Sequence, residues 1–600
     1  MKLAPTPLAF RGRIIFLSGA IMLAFVITLM GFFRVQVMEN KRYEELGERY
    51  RTKTMPIKAT RGYIYDRNAH LLAQNMPTYN LVLLRDEMET RWSMLRPELS
   101  GFLGVPDDEL QERYKGGSIL LSKPVLLREN VSYEETLRIK RQSRRFPGLG
   151  IETTKKRTYN HPGIFTHVLG YVGEVSAAGM ANDETIKLGQ IVGKSGMELA
   201  YNGLLTGKDG ERTILIDSKG VYRHQEVSTP PEPGNDLILT LNYDLQELAM
   251  KFMEGRGGSI LMMDVNSGEI LIYLSSPSFD LNLFTGGLSS KKWQELSNTF
   301  ASPFLNRPVK GAYAPGSVFK LVTAMAGLKL GKINASTEVF CNGTYTLSNH
   351  VSRCHKKGGH GWVNLTQAIQ YSCNVYFYSL ANELNIDDLA AVARDFGFGQ
   401  ATGIDLVGET PGLMPTRAWK RAHNNTSWYP GETLSVSIGQ GALLVTPIQL
   451  VGLMASLATE GKIPRPHLLL KSGKNDNFQT VKSESRVVPN MQPEYYRMVK
   501  DAMWRVVNQD LGTGSSARVK GLDVCGKTGT AQLATFKKEE KHGEELLNAF
   551  FAGFAPRDNA KVAILVLVEQ AGSGGHQAAP IAGKLLKAWQ EHHQQEVPPS

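Results

Sequence analysis

The stretch Gly311-Ala-Tyr-Ala-Pro-Gly-Ser-Val-Phe-Lys320 decides how the rest of the chain is interpreted, because it places Ser317 three residues before Lys320. On a helix these two positions share one face, so the lysine amine can reach the serine hydroxyl. Pro315-Gly316 indicates that a helix begins there, and its dipole favours negative charge on the serine oxygen. A serine attacks an amide carbonyl only with a base at hand and donors for the oxyanion, so the stretch predicts serine acyl transfer.

Two further motifs follow in the order that a serine acyl transferase needs. Ser372-Cys373-Asn374 offers a hydroxyl that can relay a proton between the lysine amine and the leaving group, and an amide that can bind substrate amides. Lys527-Thr528-Gly529-Thr530, on a predicted edge strand, offers a cation and hydroxyls for a terminal carboxylate. Gly529 lets the substrate backbone approach closely. Lysine is a base only when neutral, so burial and a second cation, for which Lys527 is the candidate, would have to lower the pKa of Lys320.

The composition is that of an ordinary globular protein rather than a polytopic membrane protein, with 42% hydrophobic and 21% charged residues among 600. Length alone predicts about four domains. The net charge of +11 would suit a polyanionic partner, but the charges are dispersed, which favours a solvated surface. Because the sequence contains no nucleic-acid-binding motif, nucleic acid is not expected as a partner.

The N-terminus determines the predicted compartment. Residues 14–33 carry no charge and are long enough to cross a bilayer as a helix. Lys2, Arg11 and Arg13 precede them without an acidic residue, which predicts that residues 1–13 form a cytoplasmic tail. No small-residue cleavage site follows, so the segment is predicted to be an uncleaved single-pass anchor. The chain from about Arg34 onward is then expected outside the cytoplasm.

The strongest predicted domain boundary is Pro230-Pro-Glu-Pro-Gly234, which separates a pedestal, residues 34–232, from a second domain, residues 233–600. Within the pedestal, residues from about 85 to 150 are charged and poor in glycine, and they are interpreted as an inserted head. In the second domain the sequence predicts a helix over 243–254 and strands over 237–241, 258–264, 269–274, 549–554 and 561–568. Strands at both ends with helices between them predict one sheet with helices on its faces, an α/β (α+β) fold.

The cysteines suggest a second kind of site. Three of the four cysteines and one histidine lie close together in the sequence, and such a set can hold a tetrahedral zinc ion; these ligands are Cys341, Cys354, His355 and Cys373. His360 is a reserve ligand, and Cys373 is expected on a helix. Two alternatives stay open, a Cys341–Cys354 disulfide that leaves Cys373 free, and buried unpaired thiols. Cys525 is expected to be a small buried side chain.

The chain resembles class B penicillin-binding proteins, which are peptidoglycan transpeptidases. The S-x-x-K, S-x-N and K-T-G motifs described above are the signature of penicillin-binding proteins and related serine enzymes. Further stretches carry the resemblance over nearly the whole chain: Arg61–Asn68, His167–Glu174, Gly193–Glu198, Pro277–Asn282, Asn306–Val309 and Ser437–Gly441. The resemblance implies an antiparallel sheet flanked by helices, carried on an elongated pedestal.

The resemblance also implies a role for each site residue. The nucleophile would be Ser317, the base Lys320, the proton relay Ser372 and a substrate-binding group Asn374. The carboxylate would bind Lys527, Thr528 and Thr530, and the N–H groups of Ser317 and Thr530 would form the oxyanion hole. The chemistry would need no cofactor, so a zinc ion would be structural.

Within this family the stretch Lys356–Asn364 resembles the elongation-type enzymes of the penicillin-binding protein 2 group. The implied reaction cross-links stem peptides on strands derived from lipid II, with release of D-alanine, in the inner membrane; β-lactams would acylate the same serine. A membrane glycosyltransferase of the SEDS family, similar to RodA, and other parts of the elongation machinery are the implied partners of the head, whose alternative role is a passive spacer. A division-type transpeptidase, a D,D-carboxypeptidase or β-lactam hydrolase, and a non-catalytic β-lactam sensor are the alternative functions.

Overall fold

The structure is a computed structural model, and it describes residues 8–44, 52–85, 88, 91–116, 124–142, 145–175, 190–216, 222–285, 290–297, 299, 302–532 and 547–596. The first seven residues of the predicted tail lie outside this set, as do parts of the predicted head, at 86–87, 89–90, 117–123 and 143–144. The chain divides into two compact units. One contains residues 1–60 and 207–234, and the other contains residues 61–206 and 235–600.

The strands of the described residues, in chain order, are β1 Thr52–Ile57, β2 Ile64–Tyr65, β3 Leu71–Leu83, β4 Val125–Val131, β5 Leu149–Tyr159, β6 Val172–Glu174, β7 Ile191–Gly193, β8 Gly210–Ile216, β9 Tyr222–Thr229, β10 Asp236–Leu239, β11 Gly258–Asp264, β12 Ile270–Ser276, β13 Glu338–Cys341, β14 Thr344–Leu347, β15 His350–Arg353, β16 Gly361–Asn364, β17 Lys462–Pro464, β18 Leu469–Lys474, β19 Asn477–Thr480, β20 Ser485–Val487, β21 Cys525–Gln532, β22 Leu547–Ala555 and β23 Val562–Val568.

The helices are α1 Leu8–Phe33, α2 Trp92–Leu103, α3 Asp107–Gly116, α4 Tyr133–Arg141, α5 Thr166–Leu169, α6 Gly196–Ala200, α7 Asn202–Thr206, α8 Tyr243–Met253, α9 Ser290–Ser297, α10 Arg307–Lys310, α11 Lys320–Lys329, α12 Leu365–Gln370, α13 Asn374–Asn382, α14 Ile386–Asp395, α15 Arg417–Asn424, α16 Pro430–Ser437, α17 Pro447–Ala458, α18 Pro493–Asn508 and α19 Gly574–Glu596.

The smaller unit holds the N-terminal helix and a three-stranded antiparallel sheet. The span Arg11–Met38, which covers most of α1 and a short π-helix after it, is long and apolar enough to cross a membrane, and its side chains are exposed. The predicted anchor at 14–33 lies within this span. The sheet has the order β1-β8-β9, so a strand that precedes the head in the sequence pairs with a hairpin that follows it.

The larger unit is built around a five-stranded antiparallel sheet with the order β12-β11-β23-β22-β21. Every residue of β12 and β23 is buried, so both faces of the sheet are covered. The helices α8 and α19 contact each other and the sheet, and α17 contacts β11, β22 and β23. The predicted hairpin and the predicted C-terminal strands are confirmed, as is the sheet that they form with helices on its faces.

A second sheet of the larger unit joins residues before and after the predicted boundary. Its order is β19-β18-β10-β2-β3-β4, with β5 also paired to β3. Near it, the Nε atoms of Arg61 and Arg157 lie 2.6 and 2.7 Å from the two carboxylate oxygens of Glu198, which is fully buried. This cluster therefore connects Arg61–Asn68 with Gly193–Glu198, two of the stretches that carry the family resemblance.

The head has its own hydrophobic core, which we call the head core. It is formed by α2, α3, α4, the strand β4 and one end of the β3–β5 ladder, and its buried members include Leu83, Leu99 and Leu127. At the other end of the same ladder, Ala73 pairs with Tyr159, and both belong to the large core that contains the five-stranded sheet. The two long strands thus link two separate cores.

Candidate active site

Ser317 lies on a 3-10 turn, Gly316–Val318, that precedes α11 by one residue. Gly316 has φ +55°, and a Cβ atom there would lie 2.6 Å from the carbonyl oxygen of Thr530. Its N–H donates to the carbonyl of Gly439 at 2.9 Å. Only glycine fits this close approach, so the turn holds Ser317 beside the strand that carries Thr530. The α-helix begins at Lys320, slightly later than the sequence predicted.

Lys320 is fully buried, and its ammonium group contacts the Ser-x-Asn motif directly. The Nζ atom donates to the carbonyl of Ser372 at 2.7 Å, to the Oγ of Ser372 at 3.3 Å and to the Oδ1 of Asn374 at 2.7 Å. Burial lowers the pKa of Lys320 to about 8, although the nearby Cys354 and Cys373 thiols act in the opposite direction. A lysine with such a pKa is partly neutral near physiological pH and can accept a proton.

The Ser-x-Asn motif forms a turn between two helices. The helix α12 ends at Gln370, Ser372 adopts φ +55°, and α13 begins at Asn374 with Cys373 as its N-cap. The prediction that Cys373 lies on a helix is therefore wrong. The left-handed backbone at Ser372 turns the chain so that its side chain points at the lysines, which a continuous helix would not allow.

Lys527 contacts the same serine. Its fully buried Nζ donates to Ser372 Oγ at 3.0 Å and to the carbonyl of Thr528 at 3.1 Å. Burial, and secondarily the charge of Lys320, hold the pKa of Lys527 well below its ordinary value. The sequence predicted that burial and a Lys527 cation would together lower the pKa of Lys320. In the structure burial lowers the pKa of both amines, and the neighbouring charge acts on Lys527 rather than on Lys320.

The strand β21 lies at the edge of the five-stranded sheet, as predicted, and carries the other residues of the K-T-G-T motif. Thr530 is exposed, and its carbonyl accepts a hydrogen bond from Gln440 at 3.4 Å. Thr528 is nearly buried, and its hydroxyl lies 2.7 Å from that of Thr513. A Cβ atom at Gly529 would lie 2.9 Å from the carbonyl oxygen of Pro315, so glycine keeps the strand close to the nucleophile turn.

Sequence reasoning did not identify Thr513 as part of the site. It lies on the loop between α18 and the 3-10 turn Ser515–Ala517, and no motif surrounds it. Only the pairing of its hydroxyl with Thr528 reveals it, because that contact depends on how α18 packs against β21.

The cysteine–histidine group lies directly behind the Ser-x-Asn turn. The donor atoms of its four members all lie within 4.8 Å of one another, and these members are Cys341, Cys354, His360 and Cys373. The Nδ1 atom of His360 lies 3.6 Å from the sulfur atoms of both Cys341 and Cys354. Tetrahedral zinc with ordinary bond lengths would place sulfur and nitrogen about 3.6 Å apart. The donor set and its spacing therefore fit zinc.

The prediction of His355 as a ligand is wrong: the reserve ligand His360 lies with the three cysteines instead. Cys354 and His355 are consecutive, so their side chains diverge: Cys354 is buried, whereas His355 is exposed with its Nδ1 4.0 Å from the Cys354 sulfur. All four cysteines of the chain are buried free thiols in the structure, including Cys525. The N–H of Asn374 donates to the sulfur of Cys354 at 3.4 Å, which connects the group to the substrate-binding motif.

Two known protein families match parts of this chain. The family described as "Penicillin binding protein transpeptidase domain" matches residues 258–587, and the family described as "Penicillin-binding Protein dimerisation domain" matches residues 56–239. The curated protein "Peptidoglycan D,D-transpeptidase MrdA" of Acinetobacter baumannii is 35% identical over 595 residues, which are 97% of this chain and 88% of the relative.

Two solved structures are similar over most of the chain. The complex of PBP2 with MreC from Helicobacter pylori has 31% identity and a TM-score of 0.79, and the match covers 91% of this chain and 99% of the other. The PBP2 of Pseudomonas aeruginosa in complex with WCK 5153 has 31% identity and a TM-score of 0.65, with 90% and 96% covered.

Proposed function

The chain belongs to the penicillin-binding protein 2 group of class B penicillin-binding proteins, and from that premise we propose how its own residues perform the reaction of the family. The protein is a serine-type peptidoglycan D,D-transpeptidase of the elongation type and a penicillin target. It cross-links stem peptides through an acyl-enzyme, and D-alanine is released.

In the proposed acylation step, neutral Lys320 takes the proton of Ser317 while the serine oxygen attacks the carbonyl of the penultimate D-alanine. The N–H groups of Ser317 and Thr530 stabilise the oxyanion. The proton then passes through Ser372 to the departing amine, and the bond to the terminal D-alanine breaks. The observation that carries this proposal is the pair of contacts that Lys320 makes with Ser372 and Asn374 inside a buried site.

In the second step, an amine on a neighbouring strand attacks the acyl-enzyme and forms the cross-link. The proton of this amine passes through Ser372 and Lys320 back to the oxygen of Ser317, which leaves as the bond to the acyl group breaks. The amide of Asn374 would hold the substrate backbone, and its Nδ2 is already fixed by the carbonyl of Arg353 at 3.1 Å. The terminal carboxylate of the donor peptide would bind the hydroxyls of Thr528 and Thr530. Lys527 would support this binding from beneath, although its ammonium group faces Ser372.

The partners and the compartment follow from the anchor and the pedestal. The apolar helix fits a single-pass anchor of the inner membrane, and we place its N-terminus in the cytoplasm because Lys2, Arg11 and Arg13 precede its uncharged stretch, residues 14–33. The relative from Helicobacter pylori was solved in complex with MreC, which supports contacts of this chain with the elongation machinery. We assign the contact with a RodA-like SEDS glycosyltransferase to the head, which has a core of its own.

We also propose that Cys341, Cys354, His360 and Cys373 hold a structural zinc ion. The ion would carry no step of the reaction. It would fix the strands β13 and β16 to the Ser-x-Asn turn, because Cys341 ends β13, His360 directly precedes β16 and Cys373 is the N-cap of α13. Three buried thiols around one imidazole nitrogen are a donor set that zinc prefers.

Labelling with a fluorescent penicillin tests the proposed nucleophile. Wild-type protein should become covalently labelled, with the mass of one intact β-lactam added to the peptide that contains Ser317. The variant Ser317→Ala should fold with an unchanged circular dichroism spectrum and show no label. Labelling that persists in this variant would refute the assignment.

A second measurement separates a transpeptidase from a carboxypeptidase. Incubation of the membrane-embedded protein with lipid II, a glycan polymerase and the proposed partner should yield cross-linked dimers of stem peptides. If only peptides shortened by one D-alanine were formed, water rather than an amine would be the acceptor.

A further inference from the structure

A partly buried ion-pair network contacts the segment that leads into the nucleophile turn but has no part in the chemistry proposed above. Arg307 is 3% exposed, and it forms a bidentate pair with Glu569, with Nε–Oε1 2.9 Å and Nη2–Oε2 3.0 Å. The hydroxyl of Tyr313 donates to the same Oε1 at 2.7 Å. Bidentate guanidinium–carboxylate pairs fix both partners in orientation as well as distance.

One side of this network controls the segment that leads into Ser317. Tyr313 lies four residues before Ser317, and its N–H and carbonyl both pair with Val445, at 2.9 and 2.8 Å. Tyr313 is therefore held both by its backbone and by its hydroxyl. Between Tyr313 and Ser317 the chain is pinned once more, where the N–H of Gly316 donates to Gly439. Glu569 therefore holds the side chain of a residue whose backbone leads into the nucleophile turn.

The other side of the network leads to the substrate-binding strand. Glu569 follows directly after β23, and five residues later the N–H of Gly574 donates to the Oγ1 of Thr530 at 3.4 Å. Between them, the N–H of Gln570 donates to Asn548 Oδ1 at 3.2 Å, so this short segment is also fixed to β22. We call residues 569–574 the spacer.

We infer that Glu569 is a positioning residue that sets the separation between the nucleophile Ser317 and the substrate-binding Thr530. The spacer has Tyr313 attached at its first residue and Thr530 attached at its last, so Glu569 is connected to both groups through short hydrogen-bonded paths. The inference rests on the proposed roles of Ser317 and Thr530.

A positioning role has a kinetic signature that a purely structural ion pair lacks. If the separation between Ser317 and Thr530 changes, the maximal rate of acylation falls. The serine oxygen then no longer meets the β-lactam carbonyl while that carbonyl faces the oxyanion donors. The affinity for the β-lactam before the bond forms changes less, since the hydroxyl of Thr528 pairs with Thr513 and contacts neither end of the spacer. Loss of stability alone would reduce the amount of active protein and leave the rate constant of the folded fraction unchanged.

The experiment uses the full-length protein in detergent and stopped-flow acylation by a fluorescent penicillin, which separates the maximal acylation rate from the apparent Kd. The variants are Glu569→Gln, which keeps the shape but removes the charge, Tyr313→Phe, which removes only the hydroxyl, and the double variant. The matched control is Asp395→Asn. Asp395, on α14, forms an ion pair with Lys329, on α11, at 2.8 Å, and this pair contacts neither end of the spacer.

We expect Glu569→Gln to lower the maximal acylation rate about tenfold with less than about a twofold change in apparent Kd, and Tyr313→Phe to lower it about threefold. The maximal acylation rate of the double variant should equal that of Glu569→Gln, because both changes act on the same contact between Tyr313 and Glu569. Asp395→Asn should acylate at the wild-type rate.

Wild-type acylation rates in Glu569→Gln and Tyr313→Phe, or a loss confined to apparent Kd, would overturn the inference. If Glu569→Gln does not fold, Tyr313→Phe decides alone. The proposed function fails separately, because only label that persists in Ser317→Ala contradicts it.

Discussion

Lys320 and Lys527 donate to the same oxygen, the Oγ of Ser372, at 3.3 and 3.0 Å, and both amines are fully buried. Two charged ammonium groups so close together in a site closed to water repel each other, and burial disfavours the charge on each. The pair therefore gives up protons more readily than exposed lysines do. Ser372, which can both donate and accept, lies where a proton can be exchanged with either amine.

The first prediction concerns pH. The pKa of Lys320 is lowered to about 8 by burial, and only the neutral amine is a base. The neutral fraction then rises from about one tenth at pH 7 to about nine tenths at pH 9. The acylation rate constant, measured with a β-lactam that is stable over this range, should rise with pH through a midpoint near 8. A rate that stays flat between pH 6 and 10 would contradict Lys320 as the base.

The second prediction concerns the identity of that base. Lys320→Arg should lower acylation by about a hundredfold or more, because a guanidinium stays protonated and cannot take the proton of Ser317. The readout is the rate of penicillin labelling. Lys329→Arg is the matched control, since Lys329 lies at the other end of α11 and pairs with Asp395. Its labelling should equal that of wild type, and comparable loss in both variants would point to damage of the helix.

The third prediction separates strain from crowding at the nucleophile turn. Gly316 and Gly331 both have positive φ, +55° and +66°, but a Cβ at Gly331 has nothing within 4 Å, whereas one at Gly316 meets Thr530. Alanine at either position should cost about 1–2 kcal/mol of unfolding free energy through the backbone alone. Gly316→Ala should in addition abolish most penicillin labelling, because the turn must move away from β21. Equal labelling in the two variants would argue against the close contact.

The fourth prediction concerns metal. Purified protein should contain one zinc ion per chain, and removal of the metal with a strong chelator should lower Tm and slow acylation. His360→Ala should lose the ion, whereas His355→Ala, an exposed neighbour, should keep it. Cys525→Ser is a cysteine control outside the group and should also retain zinc. Stoichiometric zinc in His360→Ala, or none in wild type, would contradict the site.

The sequence was sufficient for the sheet and for the order of the motifs. Alternating and continuous apolar runs at 258–274 and 549–568 predicted strands, and the structure places them side by side in the five-stranded sheet. The spacing of Ser317 and Lys320 predicted one helix carrying both residues, whereas in the structure Ser317 lies on a 3-10 turn and the α-helix begins at Lys320. These features are local, so periodicity and turn chemistry are enough to identify them.

The remaining features depend on contacts that spacing along the chain does not encode. His360 rather than His355 faces the cysteines because the β13–β16 pair brings Cys341 opposite Gly361. The contact between Tyr313 and Glu569 joins residues 256 positions apart, so no motif indicates it. The left-handed conformation of Ser372 is unusual for a residue with a side chain, and tertiary contacts with two lysines accompany it.

The head core has a consequence for how this protein can evolve. Its buried residues form a cluster separate from the large core, and the β3–β5 ladder is the long element with members in both. A substitution on the head surface therefore affects the packing of a core that does not contain the acylation residues. The partner surface that we propose on the head can therefore change while the core around the acylation site is kept.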